Sequence, residues 1–118
     1  MTNKETVQEV AKAILFNEME IALGFMTDEV SMSWPGFNTP ALQGKDAIRE
    51  FFKTVPPMRA FGESNFIAEG DLVAGTGAVI SIEKDGSEKK SYYCDLYTLE
   101  KGKIKSIQTY MVFEQEVS

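Results

Sequence analysis

The stretch YYCDLYTLEKGKIKSIQTYMVF, from Tyr92 to Phe113, decides the fold class of this chain. Apolar residues alternate with polar ones on both sides of Lys101-Gly102, which is the pattern of two antiparallel β-strands joined by a tight turn. Asp95 interrupts the first strand, although aspartate is a poor strand former and is costly to bury. What this strand can do therefore depends on which face of the sheet carries the carboxylate.

Strand parity assigns the neighbours of Asp95, because successive side chains point to opposite faces. In the first strand, one face carries Tyr93, Asp95, Tyr97 and Leu99. In the second strand, one set consists of Ile107, Thr109, Met111 and Phe113. Both faces of the hairpin are rather apolar. One face of the hairpin is therefore predicted to pack on helices or line a pocket. The opposite face is predicted to pack on something else, for which a partner subunit is the simplest candidate.

The rest of the chain predicts helices followed by strands. Thr2 or Asn3 can cap a first helix, a second helix is expected from Glu18 to Leu23, and LQGKDAIREFFKTV reads as a third. A short strand is expected from Val30 to Trp34. The segment PPMRAFGESN is predicted to be irregular, four strands follow it, and EKKS (Glu88 to Ser91) is predicted to be a solvated turn. This order indicates an α+β fold in one domain over residues 1–118: N-terminal helices on a strongly curved antiparallel sheet that encloses a pocket.

Composition excludes several kinds of function. The 118-residue chain has a formal net charge of -6, which argues against nucleic acid and anionic membranes as partners. It contains no histidine, so histidine-dependent triads and histidine-ligated zinc sites are impossible. The single cysteine, Cys94, rules out an intramolecular disulfide, and no secretory signal is visible. A cytoplasmic protein without cofactor or metal is expected.

Two interpretations of Asp95 remain open. It is either a carboxylate at the sheet rim, bonded to water or a lysine, or a carboxyl in a pocket whose pKa is raised by desolvation. Trp34 is expected in the core or in a pocket wall, where it could stack on a flat ligand. Tyr93, Tyr97 and Tyr110 could donate hydrogen bonds to a carbonyl group. In AGTGAV, Gly75 and Gly77 are interpreted as allowing sheet curvature or a bulge.

The two segments EVSMSWPGFNTPALQGKDAIREFF and YYCDLYTLEKGKIKSIQTYMVF together resemble the SnoaL-like branch of the nuclear transport factor 2-like superfamily. Ketosteroid isomerases and polyketide cyclases belong to that superfamily. The resemblance rests on a W-P-G strand end, a G-x-x-A-I-x-x-F-F helix and a late strand with D-x-aromatic, and it covers nearly the whole chain. It implies a cone-shaped fold and a homodimer formed through the outer face of the sheet.

The resemblance also implies a role for one residue. Asp95 matches the aspartic acid that helps form the oxyanion hole of ketosteroid isomerases, a carboxyl that apolar surroundings keep neutral. The isomerase's general-base aspartate stands immediately before the proline, where this chain has Trp34. The isomerase's first-helix tyrosine has no counterpart here.

Two functions are therefore expected. The first is binding of a small apolar, carbonyl-bearing molecule, with isomerase or cyclase activity in which Asp95 acts as a hydrogen-bond donor or acid. Its ligand-binding residues would be Trp34, Tyr93, Tyr97, Met111 and Phe113. The second is a non-catalytic ligand-binding or protein-interaction module of the same fold. An open pocket with Asp95 pointing inward would favour the first, and a filled cone with Asp95 bonded to backbone would favour the second.

Overall fold

The computed structural model describes residues 1–115, so the last three residues of the predicted domain lie outside it. Three helices and seven strands follow one another along the chain. The helices are α1 (Asn3–Leu15), α2 (Met19–Gly24) and α3 (Lys45–Phe52). The strands are β1 (Met26–Ser33), β2 (Leu42–Gln43), β3 (Met58–Ala60), β4 (Asn65–Glu69), β5 (Leu72–Ile82), β6 (Glu88–Glu100) and β7 (Lys103–Phe113).

Helix α1 begins where the sequence predicts. Thr2 is its N-cap: the Thr2 hydroxyl accepts a hydrogen bond from the Glu5 backbone N–H, and the Glu5 side chain accepts one from the Thr2 backbone N–H. This reciprocal pair satisfies two of the N–H groups that a helix start leaves unpaired. Val7 and Val10 are fully buried on the side of α1 that faces the sheet. The apolar stripe of α1 therefore packs this helix against the concave face of the sheet.

The seven strands form one sheet in the order β2-β1-β7-β6-β5-β3, and β4 pairs with another part of β5. Its centre is the antiparallel β5-β6-β7 meander that the turn signals predict. The turn between β6 and β7 has positive φ at both Lys101 (51°) and Gly102 (81°), as a type I′ hairpin requires. The fold is thus α+β with N-terminal helices and a large open sheet, as predicted.

Three local predictions are wrong, and a fourth is narrowed to one of its two alternatives. PPMRAFGESN is not wholly irregular, because Met58–Ala60 forms β3 against β5. EKKS is not a turn, because Glu88 to Ser91 begins β6 and Ser91 is fully buried. The sheet is not wholly antiparallel, because β1 runs parallel to β7. Of the two interpretations of Gly75 and Gly77, the bulge is excluded, because β5 pairs with β6 without interruption from Leu72 to Ile82.

The hydrophobic core lies between the helices and one face of the sheet. Its buried side chains come from α1, α2, α3, β1 and the central strands, and they include Val7, Leu23, Val30, Ile48, Tyr97 and Ile107. The ion pair of Arg49 with Glu20 ties α3 to α2 at the surface. Within residues 1–115, no helix combines the length and the apolar character needed to cross a bilayer.

Candidate functional site

A cavity of about 510 Å³ lies between the helices and the concave face of the sheet. Its walls are formed by α1, α3, the segment that follows α3, and the inward face of β5, β6 and β7. The cone is therefore open inside rather than filled by its own side chains. A space of this size is in the range of small-molecule sites in proteins.

The residues predicted as site residues all line this cavity. They are Trp34, Tyr93, Asp95, Tyr97, Met111 and Phe113. Trp34 packs against Phe51 of α3, with the ring centroids 4.9 Å apart. Tyr110 lies on the outer face of the sheet and is 44% exposed, so it cannot donate to a group inside the cavity. Cys94 also lies on the face opposite to Asp95, as parity predicts.

Cross-strand pairing places the inward side chains in rows across the sheet. Asp95 pairs with Gly75 of β5 on one side and with Thr109 of β7 on the other. The next row towards the start of β6 consists of Gly77, Tyr93 and Met111. The row on the other side consists of Val73, Tyr97 and Ile107. Asp95 is therefore the single acid in the middle row of an otherwise apolar and aromatic wall.

The carboxylate of Asp95 makes few hydrogen bonds with the rest of the protein. The Tyr97 hydroxyl donates to Oδ2 across 3.5 Å, the outer limit of a hydrogen bond. Oδ1 is fully buried and makes no hydrogen bond, and the same holds for Oγ1 of Thr109 beside it. Within residues 1–115, these are the two buried side-chain oxygens without a partner. Since a buried polar atom without a partner is costly, these two oxygens mark Asp95 and Thr109 as candidates for a functional role.

Burial changes the acidity of this carboxyl group. Desolvation raises the pKa of Asp95 from an ordinary value of 3.8 to about 6, while the nearby Thr109 and Tyr97 hydroxyls act in the opposite direction. Burial also raises the pKa of Tyr97, and the neighbouring Asp95 charge adds to that effect. Burial raises the pKa of Tyr93 in the same way. Near neutral pH, Asp95 can therefore both accept and return a proton, while the hydroxyls of Tyr93 and Tyr97 stay protonated and remain hydrogen-bond donors.

Two glycines of β5 make room for aromatic rings beside Asp95. A Cβ atom built on Gly77 would lie 2.5 Å from the hydroxyl oxygen of Tyr93, and one built on Gly75 would lie 2.9 Å from the ring of Phe66. Real Cβ atoms do not approach other atoms so closely, so these rings occupy the space that larger side chains would take. The absence of side chains at Gly75 and Gly77 therefore shapes the site.

Three residues at the site were not singled out by sequence reasoning. Thr109 faces Asp95, and its position in the inward set of β7 was the available signal. Phe66 reaches the site from β4 and pairs with Gly75, which no local pattern indicates. Lys89 lines the cavity from the segment that was predicted to be a turn. Within the described part of the chain, no three His, Cys, Asp or Glu side chains cluster in a way that could hold a metal ion.

The comparison with protein families gives one match. The family model for the SnoaL-like domain matches residues 7–107, which span α1 to the middle of β7. The matched region includes Trp34, Tyr93, Asp95 and Tyr97. No curated protein sequence matches the chain significantly.

Several solved structures share the fold. An NTF2-like protein from Burkholderia xenovorans superposes with a TM-score of 0.80 at 17% identity, covering 93% of this chain and 88% of that chain. TerC, co-crystallised with polyporic acid, gives a TM-score of 0.79 at 20% identity, covering 95% and 91%. A proposed SnoaL-like polyketide cyclase from Jannaschia gives 0.77 at 18% identity, covering 92% and 84%. At these identities, the likeness establishes the NTF2-like cone fold.

Proposed function

This chain belongs to the SnoaL-like domain family, and we propose that it binds a small apolar, carbonyl-bearing molecule and catalyses proton transfer next to the carbonyl group. Asp95 is the single acid and base of this proposal. The observation that carries it is the position of this carboxyl group: Asp95 lines a cavity of about 510 Å³, its Oδ1 makes no hydrogen bond, and its pKa is about 6.

One carboxyl group is sufficient for this chemistry. The ionised Asp95 removes a proton from the carbon next to a ketone, and the electron pair of that C–H bond becomes part of an enolate. In ring closure, the enolate carbon forms a bond to a second carbonyl carbon of the same molecule. Asp95 then returns its proton to the oxygen of that carbonyl, which becomes a hydroxyl group. In isomerisation, the same proton returns to another carbon of the conjugated system.

The neighbouring side chains fit the intermediate steps of this reaction. The hydroxyl of Tyr93 is a donor that can stabilise the negative oxygen of an enolate, while the Tyr97 hydroxyl donates to the Asp95 carboxyl group itself. Trp34 and Phe51 form an aromatic corner of the cavity wall, with ring planes inclined at 47°, against which a conjugated ring can pack. Because Trp34 stands where the isomerases carry their base, Asp95 takes both proton transfers here. The naming of the Jannaschia relative as a proposed polyketide cyclase and the polyporic acid in the TerC crystals agree with a small-molecule role.

The test measures proton abstraction rather than turnover of one particular substrate. Apolar diketones and enones are first screened for thermal stabilisation of the protein. The exchange of their α-protons for deuterium is then followed by NMR in deuterated buffer. We expect the wild type to catalyse exchange with a rate that rises with pH through about 6, since the base must be ionised. Asp95→Asn should lower that rate by about 100-fold or more.

Asp28→Asn is the matched control, because the Asp28 side chain is 98% exposed and pairs with Lys45. It should exchange protons at the wild-type rate. Equal rates in the Asp95→Asn variant and the wild type would overturn the proposal. A ketone that binds tightly to the wild type without any exchange would favour the second candidate, a non-catalytic binding module. The observation that favours this second candidate is Trp34, which leaves the cavity without the isomerase's base.

A further inference from the structure

Lys89 places a cation at the rim of the cavity. It has the same strand parity as Tyr93 and Asp95, so its side chain leaves the sheet on the inward face and lines the cavity. Its Nζ lies 4.3 Å from the centroid of the Phe113 ring, which is within the range of a cation–π contact. Phe113 is in turn in edge-to-face contact with Phe37, with centroids 6.2 Å apart. The ammonium group is thus held over an aromatic platform.

No side chain within residues 1–115 accepts a hydrogen bond from this ammonium group. Within residues 1–115, Lys89 takes part in none of the ion pairs, whereas its neighbour on the strand, Glu88, is paired with Arg59. A cation–π contact uses the charge but leaves the N–H groups free to donate to an anion. The other charged side chains that line the cavity are Lys12, Glu63, Glu83 and Asp95.

We propose that Lys89 is an anion-binding subsite at the cavity mouth, and that the natural ligand carries an acidic oxygen, as in a carboxylate or an ionised enol, at its outer end. This inference rests on the proposed small-molecule function and specifies its substrate class. The ligand is then an elongated molecule with a carbonyl group at Asp95, an apolar middle against Tyr93 and Met111, and an anionic end at Lys89.

Lys89 and Asp95 are far enough apart to act independently. They are separated by six positions on one strand, which corresponds to about 20 Å at a rise of about 3.3 Å per residue. This exceeds the screening length of about 8 Å in physiological salt, so neither charge neutralises the other through solvent. The chain as a whole carries a net charge of -6 and repels anions. A preference for an anionic ligand would therefore require a local cation.

The probe is a pair of fluorescent dyes that differ by one charge: anilinonaphthalene sulfonate and its neutral analogue, phenylnaphthylamine. Both bind apolar cavities, but only the first presents an anion. We expect the wild type to bind the sulfonate more tightly than the neutral dye, with one site per chain by calorimetry. Lys89→Met should weaken sulfonate binding about fivefold at low salt and leave binding of the neutral dye unchanged. The difference should shrink at about 0.5 M salt.

Lys90→Met is the matched control, because Lys90 is adjacent on β6, points to the opposite face and also lies over a ring, that of Phe61. It should bind both dyes like the wild type, and Lys89→Arg should retain the preference for the sulfonate. Equal sulfonate binding by the Lys89→Met variant and the wild type would overturn the proposal, as would an equal loss in the Lys90→Met variant. Asp95→Asn should retain the preference, so failure of the proton-transfer proposal would be seen separately.

Discussion

At the scale of the residue, Asp95 weakens the fold that contains it. Burial of Oδ1 without a hydrogen bond disfavours the ionised form, and this is why the pKa of the group is raised to about 6. An amide or an apolar residue at this position would avoid the cost of an ionised carboxyl. Carboxyl groups kept in such surroundings are typical of functional sites, where a displaced pKa is useful.

This cost predicts how stability depends on pH. Because the folded pKa of about 6 lies above the ordinary value of 3.8, the favourable contribution of the protonated group is complete below pH 3.8 and is lost as pH rises through about 6. The displacement corresponds to about 3 kcal/mol, of which about 2 kcal/mol appears between about pH 4 and about pH 7.5. Urea unfolding should therefore show that Asp95→Asn gains about 2 kcal/mol relative to the wild type between about pH 4 and about pH 7.5.

The exposed Asp28→Asn variant should show no comparable gain over the same pH range. A constant difference between the Asp95→Asn variant and the wild type would mean that the carboxyl titrates alike in the folded and unfolded states. A difference that falls with rising pH would mean that the folded protein stabilises the ionised form.

At the scale of the element, β5 determines how the site is arranged. Its ladder with β6 is continuous, so Gly75 and Gly77 fall directly opposite Asp95 and Tyr93. Every second residue of β5 lies on the inward face of the sheet, and two of these are glycines that lie under aromatic rings. A strand with ordinary side chains at both positions would push those rings into the space beside Asp95. The two glycines thus keep the surroundings of the carboxyl open.

Gly77→Ala should therefore displace Tyr93. The added Cβ would lie 2.5 Å from the Tyr93 hydroxyl oxygen, and relieving that contact should cost about 1–3 kcal/mol in the free energy of unfolding. In a Tyr93→Leu background the same substitution should cost less than half as much, since the ring is absent. Gly24→Ala is the control: its Cβ would meet no atom within 4 Å, so its stability should be unchanged or slightly higher. Equal costs in both backgrounds would contradict this arrangement.

Much of the meander and of the inward face could be predicted from the sequence. Turn residues such as Lys101-Gly102 locate the hairpins, and strand parity places Tyr93, Asp95 and Tyr97 on one face. These signals are local, so they can be read from the sequence without knowledge of the tertiary structure. The family resemblance was confirmed by the SnoaL-like domain match, and the cone fold by the structural relatives.

Other features depend on contacts between distant segments and have no local signal. β3 has three residues and follows two prolines, so its pairing with β5 determines its conformation. The polar sequence of Glu88 to Ser91 reads as a turn, but the register with β5 extends the strand through it. Lys89 was overlooked for this reason. The contact of Phe66 with Gly75 requires the register of β4, which a sequence pattern does not specify.

At the scale of the whole molecule, the sheet has a second apolar surface. The outer face of β6 and β7 carries Tyr92, Tyr110 and Val112, which are 45%, 44% and 64% exposed. Large apolar side chains gathered on one exposed sheet face are characteristic of protein–protein contact. The homodimer that the family resemblance implies stays a prediction, and this face is where it should form.

Light scattering coupled to size exclusion should show a particle of twice the chain mass. Replacing Tyr110 and Val112 together by lysine should shift the particle to one chain mass, because burying like charges across a two-fold axis is unfavourable. Phe16→Lys is the control, since Phe16 is 63% exposed but lies after α1, away from this face. A wild type that remains monomeric at high concentration would contradict the prediction.

The parallel pairing of β1 with β7 has a consequence for how the protein is made. Met32 pairs with Ile107, 75 positions further along the chain, so β1 has no central neighbour until β7 has been synthesised. Closing so long a loop costs conformational entropy, and this cost must be met before the contacts between β1 and β7 can stabilise the structure. During translation, α1, α2 and β1 therefore lack the central sheet that covers their apolar sides, and the cavity wall is completed only when β6 and β7 have been synthesised. The architecture that gives this protein a hollow interior also delays its assembly on the ribosome until most of the chain has emerged.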